Sequence, residues 1–169
     1  YIDWVKKWTK KIKPKLKDDG WFLLNISNDT DTTIKAYEIM NVCINNGWKL
    51  HDTIIWYIHN RQPANTNRQL TNQYEFIFAF RHNSNNIHLN KDRVKGLIAF
   101  DTKNVGNVWR IPFKQNKKSL KKTIGGKKNW GTSGFAPLLC EIVLKLFSNP
   151  NDVVLDCFAG IFLLGEIGD

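Results

Sequence analysis

The alternation of strand-like and helical segments constrains the fold of this chain more than any other feature. Four runs rich in apolar, aromatic and β-branched residues have the composition of strands: WFLLNIS (21–27), HDTIIWYIH (51–59), QYEFIFAFR (73–81) and VVLDCF (153–158). Helical patterns cover residues 3–17, the stretch from Thr32 or Thr33 to about Asn46, and the stretch from Thr132 or Ser133 to Phe147. This order predicts an α/β sheet, with the second and third strands forming an antiparallel hairpin at its edge.

The first helical segment carries apolar residues at intervals of four positions, and lysines fill its other side. The apolar residues are Trp4, Trp8, Ile12 and Leu16. This spacing predicts an amphipathic helix with one apolar face. Pro14 lacks a backbone N–H, so it should kink or shorten the helix near its end.

A polar linker, NRQPANTNRQLTN (60–72), joins the two strands of the predicted hairpin. It contains Arg61, Pro63 and Arg68 and shows no apolar periodicity. Irregular loops of this length inside a compact domain usually serve a function, and a solvated hairpin tip is the alternative.

The positive charge of the chain is concentrated in its middle. The formal net charge is +10, and residues 61–130 hold 15 basic and 3 acidic side chains, a net charge of +12. The residues before this stretch carry +2 and those after it carry −4. Such a basic block is typical of a surface that binds a polyanion, usually nucleic acid, and a solvated lysine-rich surface is the alternative.

Composition excludes several other classes. There is no run of about 18 apolar residues, so no transmembrane helix is expected. The three cysteines are odd in number and far apart, which favours a reducing compartment, and neither they nor the four histidines have metal-ligand spacing. Because the chain begins at Tyr1 and its only methionine is Met40, we expect it to be a fragment.

The last strand-like run leads into a turn that contains glycine. A buried strand ending in Asp156, followed by Phe158, Ala159 and Gly160, has the geometry with which α/β proteins bind nucleotide-like cofactors. Glycine lets the backbone approach the ligand, and the carboxylate can accept hydrogen bonds from it. The pattern alone is weak, because many α/β strands end in Asp and Gly for structural reasons.

Four stretches, taken in order, resemble DNA amino-methyltransferases of the permuted group, in which the catalytic half precedes the cofactor half. Residues 1–26 resemble the helix and strand after the family's catalytic Asp/Ser-Pro-Pro-Tyr motif, and residues 51–80 resemble its hairpin and target-base loop. NVWRIP (107–112) resembles the end of the recognition region, and residues 134–160 resemble the helix, strand and Phe-x-Gly-x-Gly loop of the cofactor half. Within the hairpin, four residues match the family pattern R…TN.YE.I: Arg68, Asn72, Tyr74 and Glu75.

The resemblance implies a Rossmann-like methyltransferase sheet of α/β class, with an antiparallel hairpin and helices on both faces. It also implies methyl transfer from S-adenosylmethionine to an exocyclic amine of adenine or cytosine in double-stranded DNA, with the base rotated out of the helix. The chain would be one partial domain. Residues 1–81 would be the remainder of the catalytic half, residues 82–130 a basic, loop-rich recognition region, and residues 131–169 the start of the cofactor half.

Candidate site residues follow from the matched positions and the polar loop. The candidates for cofactor binding are Asp156, Phe158, Ala159, Gly160, Phe135 and Pro137. The candidates for DNA binding are Arg61, Asn67, Arg68 and Asn72. No catalytic residue and no metal ligand is assigned, because the Pro-Pro-Tyr motif is absent and we expect it upstream of Tyr1.

The cofactor loop departs from the family pattern. Phe162 stands at the position of the second glycine, and Leu163 and Leu164 replace small hydroxyl residues. A phenylalanine there should block the backbone approach that glycine permits. We therefore expect the isolated chain to be inactive and to bind S-adenosylmethionine weakly or not at all.

Two alternative functions remain open on the sequence: a non-catalytic DNA-binding or specificity fragment, and an RNA methyltransferase on the same fold. Methylation of the cytosine ring carbon is disfavoured, because it needs a nucleophilic cysteine, usually after proline, and no cysteine here follows proline. We expect a cytoplasmic protein of prokaryotic or phage type that does not bind membranes, with a restriction endonuclease as a candidate partner.

Overall fold

A computed structural model describes residues 1–28, 34–64, 67, 69–82, 88–97, 99–100, 104–113 and 136–158. These residues form three α-helices: α1 (Ile2–Ile12), α2 (Lys35–Asn45) and α3 (Pro137–Phe147). They also form four strands: β1 (Trp21–Ile26), β2 (Lys49–Tyr57), β3 (Tyr74–Arg81) and β4 (Val108–Arg110). Within these ranges, no helix combines the length and the apolar character needed to cross a membrane.

The four strands make one mixed sheet in the order β1-β3-β2-β4. Strand β3 is antiparallel to both β1 and β2, whereas β4 runs parallel to β2. The mixed α/β sheet and its antiparallel hairpin are thus confirmed. The expected place of the hairpin was wrong: β2 and β3 lie in the middle of the described sheet, because β1 and β4 pair with their outer sides.

Helices cover both faces of the sheet, because side chains along each strand alternate between the faces. On β3, Phe76, Phe78 and Phe80 pack with residues of α2 on one side. Ile77 and Ala79 point to the other side, where they join a core that includes buried residues of α3. The same core contains Val94, Ala99, Trp109 and Ile111. These described residues of the region between β3 and α3 are therefore held in the core by apolar contacts.

The ends of α1 and α2 fall where the sequence indicates. Helix α1 ends at Ile12 and continues as a 3₁₀ turn, Lys13–Lys15, that contains Pro14. Gly47 follows α2 with a positive φ of 84°, a conformation that glycine adopts without a steric penalty. The caps predicted for α2 lie outside the described residues, and Asn28 Oδ1 accepts a hydrogen bond from Ala36 N–H at 3.2 Å.

The buried face of α1 differs from the predicted one. Val5 and Thr9 are fully buried, whereas 49% of Trp4 is exposed. Residues spaced by four drift around a helix that has 3.6 residues per turn, so Trp4 and Leu16 cannot share one narrow face. The Thr9 hydroxyl donates to Val5 O at 2.7 Å and accepts from Asn46 Nδ2 at 2.7 Å, which satisfies it inside the α1–α2 contact.

The prediction of a buried strand at 153–158 was wrong for this structure. Residues 152–156 have no regular secondary structure, and the exposed fractions of Val153, Val154 and Leu155 are 94%, 51% and 66%. A buried strand needs neighbouring strands to pair its backbone and cover its faces. None of the four strands in the described ranges pairs with this segment.

Candidate functional site

One edge of the sheet carries both ends of the polar loop that contains the candidate DNA-binding residues. The carboxyl end of β1 and the amino end of β3 meet there, because Ile26 pairs with Phe76. The carboxyl end of β2 joins them through the pairing of Tyr57 with Tyr74. The polar loop between β2 and β3 therefore starts and ends at this edge, which we call the loop edge.

The neck of the polar loop is closed by three hydrogen bonds. Ile58 N–H donates to Gln73 O at 2.7 Å. The Arg61 guanidinium donates to Asn72 O at 3.3 Å and pairs with Glu75, Nη2 to Oε1, at 2.6 Å. Only 15% of the Glu75 side chain is exposed. Arg61, predicted as a DNA contact, is thus held by Glu75 in the free protein, a partner that the sequence did not reveal.

The other loop candidates are placed at the surface or lie outside the description. Asn67 is exposed, and Asn72 Oδ1 accepts a hydrogen bond from Tyr74 N–H at 3.4 Å. Arg68 lies outside the described residues. Beside Asn72, 40% of Tyr74 is exposed, and its ring lies 5.3 Å from that of Phe76.

A side-chain clamp that the sequence did not predict joins the loop edge to the chain after β4. Asn60 Nδ2 donates to Phe113 O at 3.0 Å, and Phe113 N–H donates to Asn60 Oδ1 at 2.7 Å. Beneath this clamp, the indole N–H of Trp56 donates to Ile111 O at 2.9 Å in the core. Phe113, the residue that precedes the lysine-rich sequence, therefore lies beside the start of the polar loop.

The candidate cofactor turn is partly described. Asp156 Oδ1 accepts a hydrogen bond from Phe158 N–H at 2.9 Å, which shapes the turn. The Phe158 ring is 58% exposed and lies 5.8 Å from the ring of Trp4 and 5.3 Å from that of Trp8. Pro137 occupies the first turn of α3, as predicted. Three further candidates lie outside the described residues: Phe135, Ala159 and Gly160.

The cysteines are not arranged as nucleophiles. Burial raises the pKa of Cys43 to about 12. Burial, with a smaller contribution from the charge of Asp156, raises the pKa of Cys140 to about 11, and the same two causes raise the pKa of Cys157. All three thiols stay protonated at neutral pH, so none supplies a ready thiolate. The described ranges also contain no group of three potential metal ligands.

A model of the DNA methylase family, named for N6- and N4-methyltransferases, matches residues 1–167. The chain belongs to this family. It is 27% identical to the Type II methyltransferase M.MwoI of Methanothermobacter wolfeii over 167 residues, which cover 94% of this chain and 21% of that protein. It is 40% identical to the Type II methyltransferase M.MjaVI of Methanocaldococcus jannaschii over 63 residues, which cover 36% and 32% of the two chains.

The fold agrees with this family membership. The structure of the cytosine-N4-specific PvuII DNA methyltransferase is similar with a TM-score of 0.77 and 20% identity, over 99% of this chain and 61% of that one. The chain therefore spans about a fifth to a third of the length of the curated relatives that it matches.

Proposed function

We propose that this chain supplies the DNA-holding edge and the cofactor turn of a DNA amino-methyltransferase. The enzyme would transfer a methyl group from S-adenosylmethionine to an exocyclic amine of adenine or cytosine in double-stranded DNA. The observation that carries the proposal is the loop edge, where both ends of the polar loop and the exposed Tyr74 lie and where Asn60 contacts Phe113. Family membership supports the type of reaction, and the relatives' names give Type II methyltransferases.

The loop edge has the chemistry that this substrate needs. An exocyclic amine in duplex DNA is enclosed by pairing and stacking, so the base must leave the helix before it can react. Lysine and arginine side chains bind the phosphates and hold the duplex in place. The exposed ring of Tyr74 offers a stacking surface, and the amides of Asn67 and Asn72 offer hydrogen bonds. Arg61 and Arg68 are the basic members of this proposed contact set.

The described part of the cofactor turn suits S-adenosylmethionine, which supplies an activated methyl group when bound. The exposed ring of Phe158, next to Trp4, can stack on a planar base or attract a cation. The carboxylate of Asp156 can accept hydrogen bonds from hydroxyl or ammonium groups. The remaining proposed cofactor residues are Phe135, Pro137, Ala159 and Gly160.

No described side chain is assigned to the chemical step, since residues 1–169 contain no Pro-Pro-Tyr sequence. Binding of duplex DNA and of S-adenosylmethionine is therefore measured with this chain. Methyl transfer is measured with the protein that the organism makes from the gene. A cytoplasmic setting and a restriction endonuclease partner are further expectations from the family resemblance.

Fluorescence anisotropy with labelled duplex DNA, titrated over a range of salt concentrations, tests the DNA-binding part of the proposal. We expect the logarithm of the affinity to fall linearly with the logarithm of the salt concentration, by about 0.9 for each phosphate contact. A DNA affinity that does not change with salt concentration, or a higher affinity for double-stranded RNA of the same sequence, would contradict the proposed DNA binding. Calorimetric titration with S-adenosylmethionine should show weak binding that Phe162→Gly strengthens.

A further inference from the structure

We propose that Trp4 is a cofactor-binding residue, which acts together with the turn that contains Asp156 and Phe158. The indole ring of Trp4 and the ring of Phe158 form an aromatic notch, and Trp8 lies against both rings. The faces of the two exposed rings would hold the positively charged sulfonium group of S-adenosylmethionine. The inference rests on the cofactor binding proposed above, and it adds a residue of α1 to that site.

The first support is the geometry of the notch. Helix α1 presents Trp4 and Trp8 one turn apart, with their ring centroids 5.9 Å from each other. The Phe158 ring lies 5.8 Å from Trp4 and 5.3 Å from Trp8, so it contacts both indoles. Because 49% of Trp4 and 58% of Phe158 are exposed, both rings keep surface that a ligand can reach.

The second support is that the packing of α1 does not require an exposed indole at this position. The residues that α1 buries are Val5 and Thr9, and Trp4 is only half buried. Tyr1 adds a third exposed ring, 5.8 Å from that of Trp4. Large apolar side chains that cluster at a surface mark a binding site far more often than single exposed ones do. The cluster therefore indicates a ligand.

The third support is electrostatic, and it favours a cation as the ligand. The ammonium group of Lys35 lies 5.2 Å over the ring of Tyr1, so this cluster already attracts a cation to one of its faces. The carboxylate of Asp156 accepts a hydrogen bond from Phe158 N–H at 2.9 Å, which places a negative charge beside the notch. S-adenosylmethionine carries a sulfonium and an ammonium group, which suit aromatic faces and a carboxylate.

The test measures the affinities of S-adenosylmethionine and S-adenosylhomocysteine for the chain by saturation-transfer NMR, which detects weak binding. The two ligands share their adenosine and amino-acid parts, but the sulfur of S-adenosylhomocysteine is uncharged. We expect Trp4→Ala to weaken S-adenosylmethionine about five- to tenfold and S-adenosylhomocysteine less than about twofold, because only the sulfonium uses the cation–π contact. Trp4→Phe keeps a ring and should give an intermediate loss.

Tyr37→Ala is the matched control. Tyr37 also lies in a helix and is 45% exposed, and its ring lies 5.3 Å from that of Phe76. This variant should leave the affinities of both ligands unchanged. Thermal unfolding of Trp4→Ala and Tyr37→Ala should shift by similar small amounts, because each variant removes a half-exposed ring.

The contrary outcomes separate the inference from the proposed function. Equal weakening of the two ligands by Trp4→Ala, or an unchanged affinity for S-adenosylmethionine, would overturn the role of Trp4 alone. A dimer that depends on Trp4 and that S-adenosylmethionine does not dissociate, seen in sedimentation velocity, would assign the notch to a second copy and would also overturn it. Absence of saturation transfer from the unaltered chain to S-adenosylmethionine would overturn the proposed cofactor binding and this inference with it.

Discussion

Replacing Arg61 distinguishes a residue that closes the loop neck from one that only contacts DNA. In the free protein, Arg61 Nη2 lies 2.6 Å from Glu75 Oε1, and the side chains are 30% and 15% exposed. If the ion pair holds the neck, Arg61→Met should destabilise the fold. If Arg61 contacts only phosphate, the variant should lose about one unit of salt slope and no stability.

The geometry sets the expected magnitude. Charges about 4 Å apart near a protein surface attract with about 4 kcal/mol at an effective dielectric constant near 20. Desolvation of the carboxylate and ordering of the arginine, which has about 2 kcal/mol of rotamer entropy, offset roughly half of this attraction. We therefore expect Arg61→Met to lower the free energy of unfolding by about 2 kcal/mol, which is roughly 4–8 °C in Tm for a domain of this size.

The assay is urea and thermal unfolding of Arg61→Met, Glu75→Gln and the double variant. These variants form a double-mutant cycle. A coupling energy above about 1 kcal/mol between Arg61 and Glu75 would support an ion pair that stabilises the neck of the loop. The matched control is Lys145→Met, which removes a more exposed ion pair with Glu141 within α3, where the side chains are 39% and 35% exposed. Lys145→Met should lower the free energy of unfolding by about 0.3–0.5 kcal/mol. Equal losses for Arg61→Met and Lys145→Met would refute the reasoning.

Three further predictions concern an indole hydrogen bond, a buried thiol and an aromatic contact. Trp56→Phe leaves the carbonyl of Ile111 without its indole donor and should lower the unfolding free energy by about 1–3 kcal/mol in urea, and a loss below about 0.5 kcal/mol would contradict this. The pKa of Cys43 is about 12 in the folded state, above the reference value of 9.0, so the folded state keeps the thiol proton up to a higher pH than the unfolded state does. Stability should therefore fall as pH rises above about 9, by up to about 1.4 kcal/mol per pH unit, and Cys43→Ala should flatten that slope. Phe158→Ala removes a ring 5.3 Å from Trp8 and should change tryptophan emission at a cost below about 1 kcal/mol, whereas unchanged emission would rule out the contact.

The sequence predicts those elements whose cause is local. The runs that became β2 and β3 are dense in aromatic and β-branched residues, which fit a pleated, half-buried surface. Pro14 and Gly47 act on the backbone next to them, so the ends of α1 and α2 could be predicted as well. Neither kind of signal depends on distant partners.

The features that escaped prediction depend on residues far apart in the chain. Glu75 lies 14 positions from Arg61, and Phe113 lies 53 positions from Asn60. No local sequence pattern indicates that the residues of either pair are in contact. Burial of residues 153–158 is also a tertiary property, because an apolar run becomes a buried strand only beside strands that pair with it.

Nucleoside analysis after methyl transfer tests the central claim most directly. The gene product as the organism makes it is incubated with S-adenosylmethionine that carries a labelled methyl group and with duplex DNA, and the DNA is then digested to nucleosides. We expect label on the exocyclic amine of adenine or cytosine. Label on the cytosine ring carbon, or salt-dependent DNA binding without any label, would contradict it.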